Sequence, residues 1–547
     1  MSFKVTVLGQ EKTLDTKTKL LDLIGKNYDY ICASVNHRVR ELTYEVYFDA
    51  DIRFLTVKDQ DAIRTYETSL RYLVAMALHR IAPVHQFRFS YHVSRSIFID
   101  FPKDKKVDLQ FVQKLEQEMK LIVNLDLPFN RMIVNNEEAK KIYVERNMID
   151  KLNILNFRPE KTVHFYECDG YLNYMFGHMV PSTGYLKDFK LRLYAPGILL
   201  QYPRSETKGV IPPFEDAPTF GHTLKESHQW AKITQADTVA GINQYVLDDK
   251  VVEFINVCEH KHNKMLVDLG NAIETQQDEL RMICIAGPSS SGKTTFANRL
   301  KIELMSRGLK PIRISIDDYY LPQSQAPKDE DGKPDLESIN ALDVALFNQN
   351  MLDLIQGNEV DMPKYDFKIG KRVIGRKLKI TEGTIIIIEG IHALNEELTS
   401  LIPKNQKYKI YISPQAQINL DFHNPISLTD LRLLRRIVRD KKYRNSSAED
   451  TIGMWPSVRR GEFKWIYGTQ ENADFVFNSF LSYELCVMKR FALPVLSAIE
   501  KDSPFFPTAE RLLRMLKYFK DMDDHWVPTN SLLREFIGDS CYKDVHD

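Results

Sequence analysis

The run Gly287-Pro288-Ser289-Ser290-Ser291-Gly292-Lys293-Thr294-Thr295 fits the pattern G-x-x-x-x-G-K-[ST], and the chemistry of that pattern is phosphate binding. Its glycines let the chain fold back so that backbone N–H groups surround phosphate oxygens at the start of a helix. Lys293 is placed to reach the β- and γ-phosphates of ATP, and the Thr294 hydroxyl to ligate Mg²⁺. Gly287, Ser289, Ser290, Ser291, Gly292 and Thr295 complete the cofactor-binding set.

Three further stretches point from nucleotide binding towards phosphoryl transfer. Asp317 and Asp318 follow the apolar run 312–316, at the carboxyl end of a strand, where open α/β sheets bind their ligands. A carboxylate there can take the proton of an attacking hydroxyl; the plainer alternative is a cap on the following turn. Glu389 ends the run 384–388, the place for a carboxylate that organises Mg²⁺. In the stretch 434–444, Arg436 and Arg439 project to one side of a helix at i, i+3, where guanidinium groups can clamp a transferring phosphoryl group. Without the phosphate loop, that arginine run reads as a solvated helix face.

The elements that must position these groups form a repeating pattern. Strands are expected at 282–286, 312–316, 384–388, 408–412 and 474–477, with helices between them, including 294–307. This is the layout of a parallel sheet covered on both faces, and the unbroken Ile385-Ile386-Ile387-Ile388 suits a central strand. We place that domain at 276–490, with a helical extension at 491–547 packed on it through the amphipathic stretch 511–519. Residues 236–275 form a helical connector with an apolar stripe through Val252, Phe254, Ile255, Val257, Met265, Leu266 and Leu269. His260 and His262 in it, at i, i+2, read as solvated. Residues 1–60 are a small α+β module, with strands at 4–8, 30–35 and 44–48 around a helix at 18–26. Residues 61–235 open with a helix over 61–80, where Leu70, Leu73, Val74, Ala77 and Leu78 keep helical spacing. They close in a Pro- and Gly-rich loop region containing Pro203, Pro213, Pro218 and Gly221.

Bulk composition sets limits. The chain has 547 residues with 74 basic and 74 acidic side chains, so no global field draws nucleic acid or an anionic membrane, and charge does not support RNA as a partner. No apolar run approaches the roughly 20 residues of a membrane span, and the start lacks a signal-peptide layout. Six cysteines without a C-x-x-C pair argue against a disulfide framework or zinc site and fit a reducing cytoplasm. A homo-oligomer is left open.

The stretch from about 280 to 490 resembles the uridine kinase and phosphoribulokinase group, uridine kinase in particular. The resemblance is carried by GPSSSGKTT at 287–295, SIDDYY at 315–320, MPKYDF at 362–367, IIEGIHAL at 387–394, RRIVRD at 435–440 and ENADFVFN at 471–478. It implies a P-loop kinase using ATP and Mg²⁺, with Asp317 as general base on a nucleoside 5′-hydroxyl. It further implies that Tyr320, Tyr365, Phe367 and Glu337 line the nucleoside pocket, that Glu389 joins Thr294 around Mg²⁺, and that Arg436, Arg439 and Arg444 form a lid over the phosphates. Departures touch the acceptor: the histidine after the YDF motif is missing, Glu337 stands where an Asp is usual, and Ser446 replaces a lid arginine.

Residues 1–60 resemble a TGS domain, the ubiquitin-like module that opens threonyl-tRNA synthetase, through Leu20-Leu21-Asp22-Leu23, Ala33-Ser34-Val35-Asn36 and Ala50 to Phe54. The segment 61–235 resembles that enzyme's second additional domain, through helix 61–80 and Gly177-His178-Met179-Val180-Pro181. Thr68 and Tyr72 stand where paired histidines would be and Tyr174 at the cysteine position, so only His178 remains; no editing chemistry is expected and His178 reads as structural. The expected fold is thus multidomain: two α+β modules, ubiquitin-like and synthetase-like, before an α/β P-loop kinase. The expected function is phosphoryl transfer from ATP to a nucleoside, uridine or cytidine first. The alternatives are another sugar or alcohol acceptor, or a nucleotide-switched RNA-binding or regulatory protein.

Overall fold

The computed structural model describes residues 2–82, 86–328, 332, 334–366 and 369–543. At the amino-terminal end, Phe3–Val7 and Ala50–Thr56 pair in parallel inside a five-stranded sheet completed by Gln10–Leu14, Tyr30–Val35 and Arg38–Arg40. Phe3, Val5 and Val7 face the core and Lys4 and Thr6 face out, the period-two pattern of a half-buried strand. The helix expected over 18–26 contracts to Leu20–Ile24, ended by Gly25 at φ +66°. The strand expected over 44–48 contracts to Glu45–Val46.

Helix α1 (Gln60–Ile81) is buried along most of its length and shares one apolar core with that sheet. Two further sheets follow, of three and four strands. The Pro- and Gly-rich stretch is not all loop: Pro218 begins helix α2 (Pro218–Ile233), since a first-turn proline gives up only an amide that has no helical partner. Gly221 lies inside it where a Cβ would stand 2.8 Å from the Tyr194 hydroxyl. In helix α3 (Val251–Glu274), His260 is exposed as expected, but His262 is not solvated. It is buried on the opposite face and its Nε2 donates to the Phe480 carbonyl at 3.2 Å.

The carboxyl-terminal half centres on β1 (Met282–Ala286), followed by α4 (Lys293–Ser306), β2 (Lys310–Ser315), β3 (Thr384–Glu389), β4 (Lys407–Ser413), α5 (Leu428–Tyr443), α6 (Ala448–Trp465) and β5 (Phe475–Asn478). The strands form a parallel sheet in the order β2-β3-β1-β4-β5. The isoleucines of β3 are buried on both faces, which is why the run does not alternate. Helices α7 (Glu484–Ser497) and α8 (Phe506–Leu516) and the short α9 (Arg534–Ile537) complete the chain. Leu532, Leu533, Phe536 and Ile537 sit in the same core as α4 and β1. At about 1.5–3 kcal/mol per buried apolar side chain, detaching these four costs about 6–12 kcal/mol.

The connection from β4 to α5 carries a hairpin, Asn419–Asp421 with Asn424–Pro425, that the amino-terminal half encloses. The Asn419 amide donates to the Phe89 carbonyl at 2.7 Å, the Phe422 N–H to Asp150 at 2.9 Å, and the Phe176 N–H to the Asn424 side chain at 2.8 Å. Lys151 (1% exposed) donates to Asp421 (0% exposed) at 3.0 Å. Nearby, Asp430 takes a two-pronged contact from Arg511 at 3.0 and 3.1 Å, with Asp61 and Arg64 of α1 beside it. Removing one member of a buried pair strands the other's charge. Lys151→Ala should therefore lower the unfolding free energy by about 3–5 kcal/mol in a urea titration; an unmoved midpoint would show that the pair does not hold the halves together.

Candidate active site

The loop after β1 has the shape phosphate binding requires. Gly287 approaches β4 so closely that a Cβ would stand 2.0 Å from the Ile412 carbonyl oxygen. Gly292 begins α4 at φ +88°, which no side chain adopts without strain. The hydroxyls of Ser290, Ser291 and Thr295 are buried without a hydrogen-bond partner. Such groups are costly to leave unmade, and here they line a cradle that phosphate oxygens would satisfy. Lys293 Nζ folds back onto the carbonyls of Gly287 and Pro288, at 2.9 and 3.3 Å, and burial lowers its pKa.

Two buried pairs clamp the loop from behind. Arg432 donates to the Ser289 carbonyl at 3.1 Å and pairs with Glu462, whose carboxylate also accepts the Ser289 N–H at 3.2 Å. Burial pushes the Glu462 carboxyl up, but Arg432 and Arg459 outweigh it and hold it below its ordinary value. Arg435, fully buried, donates to the Ser290 carbonyl at 3.2 Å, to the Ser479 carbonyl at 2.9 Å, and to both oxygens of Glu484 at 2.8 and 2.6 Å.

In front of the loop, α5 presents its arginines as a fan on one carboxylate. Asp440, 1% exposed, accepts from Arg436 at 3.2 Å and from Arg439 at 2.9 and 2.8 Å, with Arg444 at 3.8 Å. Arg436 also reaches Ser289 Oγ at 2.8 Å. Three cations on one anion leave a positive surplus, felt at Arg444, whose pKa Arg439 pushes down to about 10.

The acids stand opposite. Asp317 and Asp318 lie in the turn after β2, and the pair divides its work. Asp318 accepts the Tyr365 N–H at 3.2 Å, whereas the Asp317 carboxylate accepts no hydrogen bond among the described residues. Asp317 does not cap the turn; the Ser315 side chain does. Burial raises the pKa of Asp317 against the pull of Lys293 and Arg444. Glu389, in register with Ser315 of β2 and Ile285 of β1, is pushed up to about 7 by burial and then by Asp317.

Glu337 is pushed to about 7 by burial and then by Glu462, and it lies within the field of Lys293 and Asp317. Tyr320 donates to the Leu336 carbonyl at 3.0 Å, and its ring centre is 5.6 Å from that of Tyr365. Thr294 sits in the first turn of α4, partly exposed. Phe367 lies outside the described residues. Lys293 and Arg436 contact the phosphate loop directly, Asp317, Glu389 and Glu337 lie within the field of Lys293, and Tyr320 and Tyr365 stand together beside Asp318. The clamps Arg432–Glu462 and Arg435–Glu484 were not expected as a pair; only Arg435 lay inside a quoted motif. Glu462 and Glu484 are lone acids on helices with no signal in spacing.

No group of three or more His, Cys, Asp or Glu side chains among the described residues is arranged to hold a metal. Mg²⁺ bound with a nucleotide does not need one, because phosphate and water supply most of its oxygens; the Thr294 hydroxyl and Glu389 fit that chemistry. At the other end of the molecule, His178 is 4.0 Å from Glu41, and burial with Arg514, Arg40 and Arg131 lowers its pKa to about 3. Thr68 bonds back to the Arg64 carbonyl at 2.9 Å, and Tyr72 donates to the Tyr171 carbonyl at 2.6 Å. Tyr174 accepts from Arg158 at 3.2 Å.

The family model described as phosphoribulokinase / uridine kinase matches residues 282–484. A uridine kinase of Ureaplasma parvum serovar 3 is 30% identical over 177 residues, covering 32% of this chain and 77% of its own length. A threonine–tRNA ligase of Carboxydothermus hydrogenoformans is 30% identical over 188 residues, 34% of this chain. The chain spans only 28% of that ligase's length, and the amino-terminal part is where it resembles the synthetase. Among solved structures, a D-glycerate 3-kinase from Cryptococcus neoformans var. grubii is 16% identical, covering 46% of this chain and 87% of its own, with a TM-score of 0.22.

Glu389 yields a stability test. Its folded pKa is raised, so its contribution to stability is complete below the ordinary carboxyl value of 4.5 and is lost as pH rises through about 7. Glu389→Gln should leave the ligand-free protein unchanged near pH 4 and stabilise it at pH 8, by up to about 3 kcal/mol. Thermal unfolding at the two pH values reads this; equal shifts at both would remove the assigned burial.

Proposed function

Because the chain belongs to the phosphoribulokinase / uridine kinase family, we propose that it transfers the γ-phosphate of ATP to the 5′-hydroxyl of a nucleoside, uridine or cytidine foremost. The observation that carries this reading is the convergence of Lys293, Asp317, Glu389 and the arginine fan on one phosphate loop. A regulatory switch needs the loop but not a half-buried carboxylate beside it that accepts no hydrogen bond.

In this reading, Lys293 leaves the Gly287 and Pro288 carbonyls for the β- and γ-phosphates. The acceptor lies by Tyr320, Tyr365 and Glu337. Asp317 takes the proton of its hydroxyl as the new O–P bond forms and the bond to the ADP oxygen breaks, with Arg436, Arg439 and Arg444 holding the charge that spreads over the moving phosphoryl group. Mg²⁺, held through Thr294 and Glu389, supplies charge neutralisation on the phosphates. The absence of the usual histidine after Tyr365-Asp366-Phe367 and the presence of Glu337 bear on which acceptor is taken, not on the transfer. A regulatory role alongside has one support, the enclosure of the 419–425 hairpin, at the root of α5, by the synthetase-like half.

The reading is tested by Mg²⁺-dependent ADP release from ATP with and without uridine, cytidine and a wider nucleoside panel. A rise with a pyrimidine nucleoside is expected; release indifferent to every nucleoside would turn the assignment to another acceptor or to nucleotide-dependent tRNA binding. Asp317→Asn should lower kcat by about 10²–10⁴ while ATP affinity stays within about twofold. Since burial raises the Asp317 pKa, kcat of the wild type should climb with pH through that raised value. A folded Asp317→Asn variant with full kcat would end its role as base.

A further inference from the structure

The carboxyl-terminal segment meets the phosphate loop directly. Gly292 has no side chain and Leu532 fills the space: a Cβ there would lie 2.3 Å from Leu532 Cδ2. Three residues on, the Glu535 carboxylate accepts the Thr295 N–H at 3.1 Å. That amide is one of the donors at the start of α4, which have no partner inside the helix and form an anion site. Glu535 is 6% exposed, and its charge is felt at both Lys293 and Glu389. Beside the same amide, the Thr295 hydroxyl is fully buried and unpartnered. Residues 531–537 lie outside the span matched by the family model.

We propose that Glu535 is a built-in competitor for the nucleotide, whose carboxylate stands on the Thr295 amide in place of the phosphate nearest the nucleoside, so that a nucleotide binds by displacing it. The backbone N–H groups of such loops cradle the α- and β-phosphates, and a carboxylate and a phosphate oxygen cannot share one donor at van der Waals distance without strong like-charge repulsion. The side chain moves and the segment stays. Leu532, Leu533 and Phe536 are fully buried, the Arg534 guanidinium holds the carbonyls of Val527 and Asp524, and Lys442 Nζ donates to the Ile537 carbonyl at 2.6 Å. Being covalently attached, the carboxylate competes at a high effective concentration. It weakens nucleotide binding and returns to the amide as ADP leaves. The inference rests on the loop taking a nucleotide and is independent of the acceptor.

Calorimetric titration of ATP into the full chain tests it. Glu535→Gln keeps the shape and removes the charge, and should bind ATP about tenfold more tightly than wild type; equal or weaker binding overturns the proposal. A second measurement needs no variant. In wild type bound to a non-hydrolysable ATP analogue, a phosphate oxygen should occupy the Thr295 amide with Glu535 turned away. A phosphate chain in the loop with Glu535 still on that amide overturns it. Tighter ATP binding by Glu535→Gln in a chain that phosphorylates no nucleoside would sink the nucleoside-kinase reading and leave this one standing. Nucleoside-dependent turnover without the affinity gain would do the reverse.

Discussion

A loop bent to offer its amides to a phosphate has no secondary structure to keep it bent, and the helix behind it cannot satisfy its own first amides. Here the bend depends on two buried arginine–carboxylate pairs. Arg432 with Glu462 holds both the carbonyl and the N–H of Ser289, and Arg435 with Glu484 holds the carbonyl of Ser290. Charges this deep are tolerable only when each is answered by its partner and by backbone groups. They therefore fix the places of α5, α6 and α7, which carry them, as firmly as they fix the loop. The arginine fan on Asp440 inherits its position from the same helix, so the front of the site is built on the clamp at its back.

The parts of this arrangement that were legible in the sequence are those in which local chemistry and local structure coincide. The glycines and Lys293 declare the loop, the isoleucines of β3 declare a strand buried on both faces, and Asp317 and Glu389 stand at strand ends where periodicity alone places them. What escaped depends on contacts distant in sequence. Glu462 lies 30 residues beyond Arg432 and Glu484 49 beyond Arg435, and a single acid on a helix looks like any solvated one. His262 follows the same rule, since its hydrogen-bond partner, the Phe480 carbonyl, is 218 residues away. Pro218 and Gly221 read as loop because each is rare in helices; at a first turn and under a tyrosine hydroxyl they are not.

The synthetase-like half meets the kinase half along helix α1. Along α1, Thr68 bonds back to the Arg64 carbonyl one turn earlier and Tyr72 bonds across to the Tyr171 carbonyl of the neighbouring strand. Arg71, between them, reaches the 423–424 backbone and side chain of the kinase half. Helix α1 thus contributes directly to the interface between the two halves.

The enclosed hairpin has a consequence for the order in which the molecule comes together. The amino-terminal half leaves the ribosome with Lys151 already destined for the interior, yet Asp421 is made 270 residues later and Asn424 353 residues after Arg71. Contacts this far apart close large loops and form late. During synthesis the first half must therefore wait, incompletely buried and exposed to chaperones and to association with other nascent chains, until the second supplies the missing strand pair. Assembly of this chain is in that sense a docking reaction between two parts of one polypeptide, with the hairpin as the piece that is docked.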